Sequence, residues 1–324
     1  MNSFGRLFRV HIFGESHGPT IGVTIDGCPP GIALGPEDFL ADLERRKPGA
    51  KGTTPRKEDD FPEIVSGCHN GYTTGAPLTI LFRNKNVRPA DYAGLKNTPR
   101  PGHADFVAAQ RFRNFNDPRG GGHFSGRLTV ALVAAGVVAK KIVTPVSITA
   151  KLIEAGGMAD IQKAVTKAME EGDSIGGLVE CRAENIPVGW GEPFFDSTES
   201  VISHLAFAVP AIKGIEFGSG FRAAAMRGSD HNDPIVDSSG KTATNHAGGI
   251  TGGLTNGNAL IFRVAVKPTS SISKKQTTFN IETKKTETLE IGGRHDACIA
   301  LRVPVVIEAI TAIALADLKL LAKP

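Results

Sequence analysis

Two long apolar runs constrain the fold of this chain more than any other feature. Residues 128–139 are apolar and precede Lys140 and Lys141, two cations that favour the C-terminal end of a helix. Residues 303–321 form a second apolar run, which Glu308 and Asp317 interrupt. A helix that is apolar on nearly all sides must be buried. The runs therefore predict two helices that pack as a buried layer, with sheets covering them.

The segments outside these helices have the lengths and turn residues of short strands. Residues 8–13 and 21–25 predict two strands, and residues 63–67 and 77–84 predict a strand pair. The polar stretch 50–62 predicts an exposed, mobile loop. Hairpin-like spacing favours antiparallel pairing. We therefore expect an α+β fold, with a core layer of helices between two largely antiparallel sheets, rather than a doubly wound fold.

The second half of the chain loosely repeats the order of the first half. Residues 186–191 (IPVGWG) resemble residues 30–35 (PGIALG), and a predicted helix follows each. We interpret this as a weak internal duplication within a single domain of residues 1–324, with halves at about 18–144 and 175–324. Glycine-rich strand ends can resemble each other by chance, so the duplication is a hypothesis.

Composition excludes several classes of protein. With 40% hydrophobic and 22% charged residues, the 324-residue chain is typical of a globular protein. Its formal net charge of +4 is too small to indicate a nucleic-acid partner. The four cysteines have no C-x-x-C spacing, which disfavours a zinc site or disulfide framework and fits reduced thiols. Since neither apolar run is suited to span a bilayer, we expect a soluble, cytoplasmic protein with no membrane or nucleic-acid partner.

The segment before the first apolar run, residues 119–127 (RGGGHFSGR), is called the glycine loop below. Three consecutive glycines let a backbone pass close to a ligand, because no Cβ stands in the way. Backbone N–H groups and arginines at the start of a helix are suited to bind an anion. The alternative is a flexible linker before a core helix.

Histidines and arginines recur beside glycines elsewhere in the chain. His17, His103 and His123 lie in glycine-containing loops, where a histidine can transfer a proton at neutral pH or simply bond to backbone. No metal-ligand spacing occurs, so we expect acid–base chemistry and no metal. Arginine forks match carboxylate and phosphate oxygens, although a single arginine is usually solvated. Six arginines lie at loop or helix ends and suggest a polyanionic ligand: Arg45, Arg46, Arg100, Arg119, Arg127 and Arg294.

Six motifs, taken together and in order, resemble the chorismate synthase family. They are GESHG at 14–18, RRKPG at 45–49, RPGHAD at 100–105, NHAGG at 245–249, KPTSS at 267–271 and GRHD at 293–296. The resemblance implies the last step of the shikimate pathway, a 1,4-anti elimination in which 5-enolpyruvylshikimate 3-phosphate loses phosphate and a ring proton. It also implies reduced FMN as cofactor, NADPH only as an indirect source of reduced flavin, a β-α-β sandwich protomer and a homotetramer.

The same resemblance assigns roles to individual residues. His17 is similar to the acid that protonates the departing phosphate, His103 to the histidine that keeps the flavin correctly protonated, and Asp296 to the aspartate that works with flavin N5. The implied substrate-binding residues are Ser16, Arg46, Lys51, Arg100, Arg127 and Arg294. The implied FMN-binding residues are His123, Phe124, Ser125, Pro210, Ala211, Gly252, Lys267, Pro268, Thr269, Ser270, Ser271 and Arg294.

Two other functions remain open at this point. An RNA-binding protein would use the same arginines on phosphates, but two tyrosines and one tryptophan offer little surface for base stacking. A flavin electron carrier with no substrate of its own would leave the additional arginines unexplained. Release of phosphate from the substrate distinguishes the lyase from both.

Overall fold

The structure, a computed structural model, describes residues 1–54, 58–86, 97–292 and 295–322. Its α-helices are α1 Leu40–Arg46, α2 Asp105–Arg111, α3 Thr129–Val143, α4 Ile161–Glu170, α5 Thr198–Ala208, α6 Gly228–His231 and α7 Pro304–Leu321. Its strands are β1 Ser3–Phe4, β2 Arg9–Gly14, β3 Thr20–Asp26, β4 Glu63–Ser66, β5 Cys68–His69, β6 Tyr72–Thr73, β7 Leu78–Arg83, β8 Ser147–Ala155, β9 Gly177–Glu184, β10 Ile212–Phe217, β11 Ile250–Thr251, β12 Leu254–Thr255, β13 Leu260–Val266, β14 Gln276–Asn280 and β15 Lys285–Leu289.

The two apolar runs form α3 and α7, which confirms both predicted helices. The helices pack against each other in the hydrophobic core. Every residue of 129–139 in α3 and of 305–318 in α7 is buried. Small side chains allow a close approach: a Cβ placed on Gly136 would lie 2.4 Å from the Cβ of Ala309. The backbones of the two helices are therefore nearer than larger side chains would permit.

The first sheet consists of five antiparallel strands in the order β1-β2-β3-β7-β4. Helix α3 lies against β2, β3 and β7. Alternate side chains of β3, at Ile21, Val23 and Ile25, are buried, as expected where one face of a strand covers a core. The antiparallel ladder of β4 and β7 confirms the predicted pairing of residues 63–67 with residues 77–84.

The second sheet consists of four antiparallel strands in the order β10-β13-β9-β8. Helix α7 lies against β8 and β9, and α5 packs between α7 and β10. Val179, Cys181 and Ala183 of β9 are buried on the side of the core. One central helix thus contacts each sheet, and the predicted combination of helices with antiparallel sheets is confirmed.

Two buried carboxylates of α7 bind distant segments of the chain. Asp317 accepts hydrogen bonds from the backbone N–H groups of residues 6–8, at 2.7–3.1 Å. Glu308 accepts hydrogen bonds from Arg45 of α1 at 2.6 Å and from Lys140 of α3 at 3.1 Å. Because buried charges need such partners, these contacts fix α1, α3 and the N-terminal segment relative to α7.

The substitution Gly136→Ala should destabilise the protein, although alanine favours a helix by about 1 kcal/mol over glycine. The added methyl group would overlap Ala309, and overpacking a core costs roughly 1–3 kcal/mol. We expect a lower midpoint of urea unfolding. The control Gly228→Ala in α6 should not lower it, because nothing lies within 4 Å of the Cβ added there. A Gly136→Ala variant as stable as the wild type would contradict the close helix contact.

Candidate active site

A cavity of about 730 Å³, the large cavity, lies beside the glycine loop. Its wall combines many apolar side chains with a few polar ones, which is typical of a site for an organic ligand. The apolar part includes Ile12, Leu132, Leu205, Val209 and Ile313. The polar part includes His103, His123, Ser125, Lys267, Thr269 and Ser270.

The glycine loop passes between two histidines. Gly120, Gly121 and Gly122 have φ angles of 59°, 81° and 52°, in the left-handed region that favours glycine. A Cβ on Gly120 would lie 2.2 Å from Cε1 of His17, and a Cβ on Gly121 would lie 3.3 Å from Cε1 of His103. Glycine therefore allows both imidazole rings to contact the backbone. The loop is a packed part of the site and not a flexible linker.

His103 belongs to a hydrogen-bonded cluster at the start of α2. Its Nδ1 lies 2.6 Å from Oδ1 of Asp105. Arg100 donates to the same carboxylate through Nε at 2.7 Å and Nη2 at 2.8 Å. Burial raises the pKa of Asp105, but the hydrogen bonds from Arg100 and His103 outweigh burial and hold that pKa well below its usual range. Arg100 thus binds a carboxylate of the protein itself, and it does not line the large cavity.

Residues 267–271, which follow β13, form a polar part of the large cavity's wall. Lys267 Nζ donates to Ser270 Oγ at 2.8 Å and to the carbonyl oxygen of Gly102 at 3.1 Å. Burial lowers the pKa of Lys267. Thr269 Oγ1 is buried and has no hydrogen-bond partner among the described residues. This segment therefore offers a cation and hydroxyl groups to a ligand in the cavity.

A second cavity of about 160 Å³, the small cavity, adjoins the large one. Five residues line both cavities: Gly120, Ser125, Gly126, Thr269 and Ile299. The small cavity is strongly charged, with seven ionisable side chains in its described wall: Arg46, Glu58, Asp60, Arg127, His295, Asp296 and Arg302. Ligands in the two cavities would therefore lie side by side, with the shared residues, here called the shared wall, at their boundary.

Asp60 joins two of the arginines in the small cavity. Its fully buried carboxylate accepts hydrogen bonds from Arg46 Nη2 at 2.5 Å and from Arg127 Nη1. Burial raises the pKa of Asp60, but the positive charges of Arg46 and Arg127 outweigh burial and lower that pKa. Burial also lowers the pKa of Arg127. Arg127 Nη2 is a buried donor with no hydrogen-bond partner in the described part of the chain.

The prediction of an exposed loop at residues 50–62 was wrong for four of its described members, since Gly52, Glu58, Asp60 and Pro62 are buried. Asp60 is buried by its arginine partners. Glu58 is buried as well, and it accepts hydrogen bonds from the backbone N–H groups of Lys85 at 3.0 Å and Asn86 at 3.2 Å. A carboxylate with such hydrogen-bond partners can be buried. Residues 55–57 lie outside the described residues.

Asp296 lies in the small cavity, just before the short helix that leads into α7. Its Oδ1 accepts a hydrogen bond from the backbone N–H of Thr54 at 2.9 Å. Arg302 Nη1 lies 3.4 Å from both carboxylate oxygens of Asp296, and Arg302 Nε donates to the carbonyl oxygen of Arg46 at 3.0 Å. Arg302 therefore connects the aspartate to the end of α1, and it holds Asp296 beside the arginine pair.

Most residues predicted from the sequence gather around the two cavities. His103, His123, Phe124, Ser125, Pro210, Ala211, Lys267, Pro268, Thr269, Ser270 and Ser271 line the large cavity. Ser16, Arg46, Arg127 and Asp296 line the small one, and buried His17 contacts the glycine loop.

Four predicted residues in the described part of the chain line neither the large nor the small cavity: His17, Lys51, Arg100 and Gly252. Lys51 is exposed and donates to Thr166 Oγ1 at 3.2 Å. Gly252 lies in the turn between β11 and β12. Arg294 lies outside the described residues, so its predicted place in the site stays a prediction.

Several residues of the site escaped the sequence analysis. Asp60 and Glu58 stand in a charged run that is typical of a solvated loop, and no local pattern indicates their distant partners. Asp105 lies inside the RPGHAD motif, two residues after His103. This spacing was a signal that could have indicated a carboxylate beside the histidine. Residues 1–4 line the large cavity because β1 pairs with β2 beside it, which no motif indicates.

Comparisons with known proteins agree with this geometry. The family model for chorismate synthase matches residues 8–320. The chain is 64% identical over 322 residues to the chorismate synthase of Chitinophaga pinensis, covering 99% of this chain and 97% of that protein. It is 45% identical over 351 residues to the enzyme of Dehalococcoides mccartyi, covering 98% and 96%. The chain belongs to the chorismate synthase family.

A crystal structure of a chorismate synthase has the same fold, with a TM-score of 0.73 at 28% identity over 98% of this chain and 92% of that one. Family membership confirms the resemblance of the six motifs. It assigns the chain the activity of a chorismate synthase, a carbon–oxygen lyase of the shikimate pathway. None of the helices in the described residues is long and apolar enough to cross a membrane.

The substitution Gly120→Ala should impair this chorismate synthase without unfolding it. The added Cβ would overlap the His17 ring, and a displacement of about 1 Å in an active site lowers turnover by roughly 10²-fold. The control Gly157→Ala has the same left-handed backbone strain, at φ 78°, but no atom lies within 4 Å of its added Cβ. Rates of chorismate formation test this. Equal rates for both variants would show that the contact with His17 has no catalytic consequence.

The substitution Asp60→Asn should lower the free energy of unfolding at neutral pH by about 3–5 kcal/mol, because two buried arginines lose their counter-charge. The pKa of Asp60 is lowered on folding. Its contribution to the free energy of unfolding is therefore complete at a pH above the pKa of the unfolded state, and it is lost as the pH falls below that value towards the pKa of the folded state. The difference from wild type should therefore be constant above about pH 5 and shrink below about pH 4.

Urea unfolding across this pH range measures the effect. Asp59→Asn is the matched control, because that carboxylate is 71% exposed and pairs with Lys85 at the surface. It should change stability little at any pH. A difference between wild type and Asp60→Asn that did not depend on pH would mean that the ionised Asp60 does not stabilise the folded state.

Proposed function

We propose that this chorismate synthase binds reduced FMN in the large cavity and 5-enolpyruvylshikimate 3-phosphate at the shared wall, with the anionic groups of the substrate in the small cavity. The observation that carries this proposal is the adjacency of the cavities: one large and mainly apolar, the other small and rich in arginine. Reduced flavin would supply the electron-rich ring that the side chains of the chain lack. NADPH would act only outside the site, as a source of reduced flavin.

The residues of the large cavity fit a flavin mononucleotide. The cavity volume of about 730 Å³ lies within the range of roughly 300–1,000 Å³ that is usual for pockets that bind such ligands. Its apolar wall suits a fused ring system. Lys267, Ser270 and the buried Thr269 hydroxyl offer a cation and hydroxyl groups to a phosphate. Pro210 and Ala211 close the wall before β10, whereas Gly252 and Arg294 remain predictions from the resemblance.

Arg46 and Arg127 are the groups that we assign to the substrate's anions. Asp60 holds both guanidinium groups at the small cavity, and the buried Arg127 Nη2 is available as a donor to a carboxylate or phosphate oxygen. We do not assign Arg100 to the substrate, because its guanidinium group already donates to Asp105. We propose instead that it stabilises the position of His103 through that carboxylate. Of the other residues that the resemblance assigns to the substrate, Ser16 lines the small cavity, whereas Lys51 and Arg294 remain predictions.

His17 and Asp296 are the proposed proton-transfer groups at the substrate. His17 would donate a proton to the departing phosphate, and Asp296 would hold the proton that the ring loses. The C–O bond to phosphate and one ring C–H bond break, and a second ring double bond forms, so the reaction is balanced without net oxidation. The Ser16 backbone N–H donates to the Gly122 carbonyl oxygen at 3.0 Å, which keeps the His17 loop against the glycine loop.

We further propose a homotetramer in the cytoplasm. Large apolar side chains on the surface support contacts between copies, among them Phe194, Phe195 and Phe221, each at least 85% exposed. The four cysteines are unpaired, and burial raises the pKa of Cys181 to about 12. Four unpaired thiols support a reducing compartment.

A β-α-β sandwich and an internal duplication are the architecture that we propose for the whole chain as one domain. Support comes from the order of strands in the two sheets, β2-β3-β7-β4 in the first and β8-β9-β13-β10 in the second. In each sheet the first two of these strands along the chain are neighbours, the fourth pairs with the second, and the third lies at the edge. It also comes from two equivalent turns. The Thr73 hydroxyl donates to the Pro29 carbonyl oxygen at 2.7 Å, and the Thr255 hydroxyl donates to that of Pro187 at the same distance.

An anaerobic assay tests the proposed function. The purified protein is given reduced FMN and 5-enolpyruvylshikimate 3-phosphate, and the release of phosphate and formation of chorismate are followed. Oxidised FMN and the omission of flavin serve as controls. We expect turnover only with reduced FMN. An RNA-binding protein or a plain flavin carrier would release no phosphate, and that result would overturn the proposal.

His17→Ala and His103→Ala should each lower turnover by roughly 10²–10⁴-fold, the usual contribution of a positioned acid or base. Binding of oxidised FMN, measured by fluorescence quenching, should persist in His17→Ala. His69→Ala in the exposed hairpin of β5 and β6 is the control, and it should be as active as wild type. Wild-type turnover in either of the first two variants would remove that histidine from the mechanism.

A further inference from the structure

We propose that Asp105 is a positioning residue for His103: it holds the imidazole as the Nδ1–H tautomer, so that Nε2 is the nitrogen that exchanges protons at the glycine loop. This inference rests on the proposed catalytic role of His103. The juxtaposition that carries it is a carboxylate in hydrogen-bonding contact with one ring nitrogen of a histidine whose other ring nitrogen approaches Gly121.

The geometry decides which nitrogen faces the carboxylate. Nδ1 of His103 lies 2.6 Å from Oδ1 of Asp105. On the other side of the ring, a Cβ on Gly121 would lie 3.4 Å from Nε2. His103 lines the large cavity and also a side cavity of about 170 Å³, whose wall includes Asp105 and Asp117. The residue therefore borders both cavities, and its two ring nitrogens lie beside different groups, Nδ1 beside Asp105 and Nε2 beside Gly121.

The charge on Asp105 decides where the proton lies. Arg100 donates to both carboxylate oxygens through its side chain and to Oδ2 through its backbone N–H. The carboxylate also stands at the N-terminus of α2, where a negative charge is favoured. An ionised carboxylate only accepts hydrogen bonds. At 2.6 Å, Nδ1 must therefore carry the proton, and Nε2 of the neutral ring is left with its lone pair.

The arginine near the ring does not reverse this assignment. Arg100 Nη2 lies 3.1 Å from Nδ1 of His103, which by itself would favour a lone pair on that nitrogen. Nη2 carries two N–H groups, and one of them donates to Oδ1 of Asp105 at 2.8 Å. The 2.6 Å contact between Nδ1 and Oδ1 is shorter than the contact with Nη2, and without a proton on Nδ1 it would set two lone pairs against each other. Two further charged groups near this cluster do not contact the ring. Lys267 donates to the carbonyl oxygen of Gly102 and to Ser270, and Asp117 pairs with Arg119.

A comparison within the large cavity separates His103 from the other histidines there. His123 places Nδ1 2.8 Å from the carbonyl oxygen of Gly14 and Nε2 3.0 Å from Oδ1 of Asn2. Both of its nitrogens are thus engaged by neutral groups of the protein. Among the described histidines of this cavity, His103 alone has a carboxylate within 4 Å of a ring nitrogen. The carboxylate–imidazole arrangement is specific to the histidine with the proposed role.

Two measurements test the inference. In protein labelled with ¹⁵N at histidine, the His103 signals are assigned by comparison with His103→Gln, and at alkaline pH they should report the Nδ1–H tautomer. In Asp105→Asn, whose amide can donate to Nδ1, the Nε2–H tautomer should appear. Turnover should then fall at least about tenfold but no further than in His103→Ala, with little change in KM.

Asp26→Asn is the matched control, because it removes an aspartate that pairs with Arg9 at the surface. It should alter neither the His103 signals nor turnover. Retained binding of oxidised FMN shows that Asp105→Asn is folded. The inference is overturned by an Nε2–H tautomer in the wild type, a result that needs no variant, or by an unchanged tautomer in folded Asp105→Asn. Wild-type turnover in His103→Ala would instead remove the catalytic role and leave the tautomer assignment standing.

Discussion

The close contact of α3 with α7 is the constraint on which the rest of the structure depends. Gly136 lets the helix backbones approach at Ala309, and each helix carries one end of the candidate site. The glycine loop and Arg127 directly precede α3, while Asp296 and Ile299 precede α7. Packing the helices together therefore brings Ser125, Gly126 and Ile299 into the shared wall. Two segments far apart in sequence meet there because a hydrophobic contact elsewhere fixes their helices.

Paired charges then position the polar side chains around this apolar centre. Asp60 unites arginines from the end of α1 and from the glycine loop, and Glu308 binds α1 and α3 to α7. A buried ion pair adds little stability over an apolar pair of similar size, but breaking one is costly. The benefit of Asp60 is thus geometric. It holds Arg46 and Arg127 close to each other, which two like charges would otherwise resist.

The sequence predicted those features that depend on local pattern. The run 128–139 together with Lys140 and Lys141 predicted α3 to within two residues, and the run 303–321 predicted α7 to within one. Residues 63–67 and 77–84 predicted a real strand pair. The motifs predicted most of the residues that gather around the two cavities, because a family resemblance spanning the chain carries information about distant contacts that periodicity lacks. The burial of Asp60 was not predictable in the same way. Its partner Arg127 is 67 residues away, and a local run of charges looks the same in solvent as in a core.

The glycine loop shows how one local feature can serve two distant groups. From sequence, three consecutive glycines indicate a close approach to a ligand. In the structure, Gly120 and Gly121 allow His17 and His103 to approach the backbone. His17 is beside the shared wall, and His103 faces the large cavity. The backbone of the loop lies between the two rings, so under the proposed function each histidine can serve a different ligand. In the mechanism that we propose, this separation lets the protonation of the flavin and that of the leaving phosphate be controlled independently.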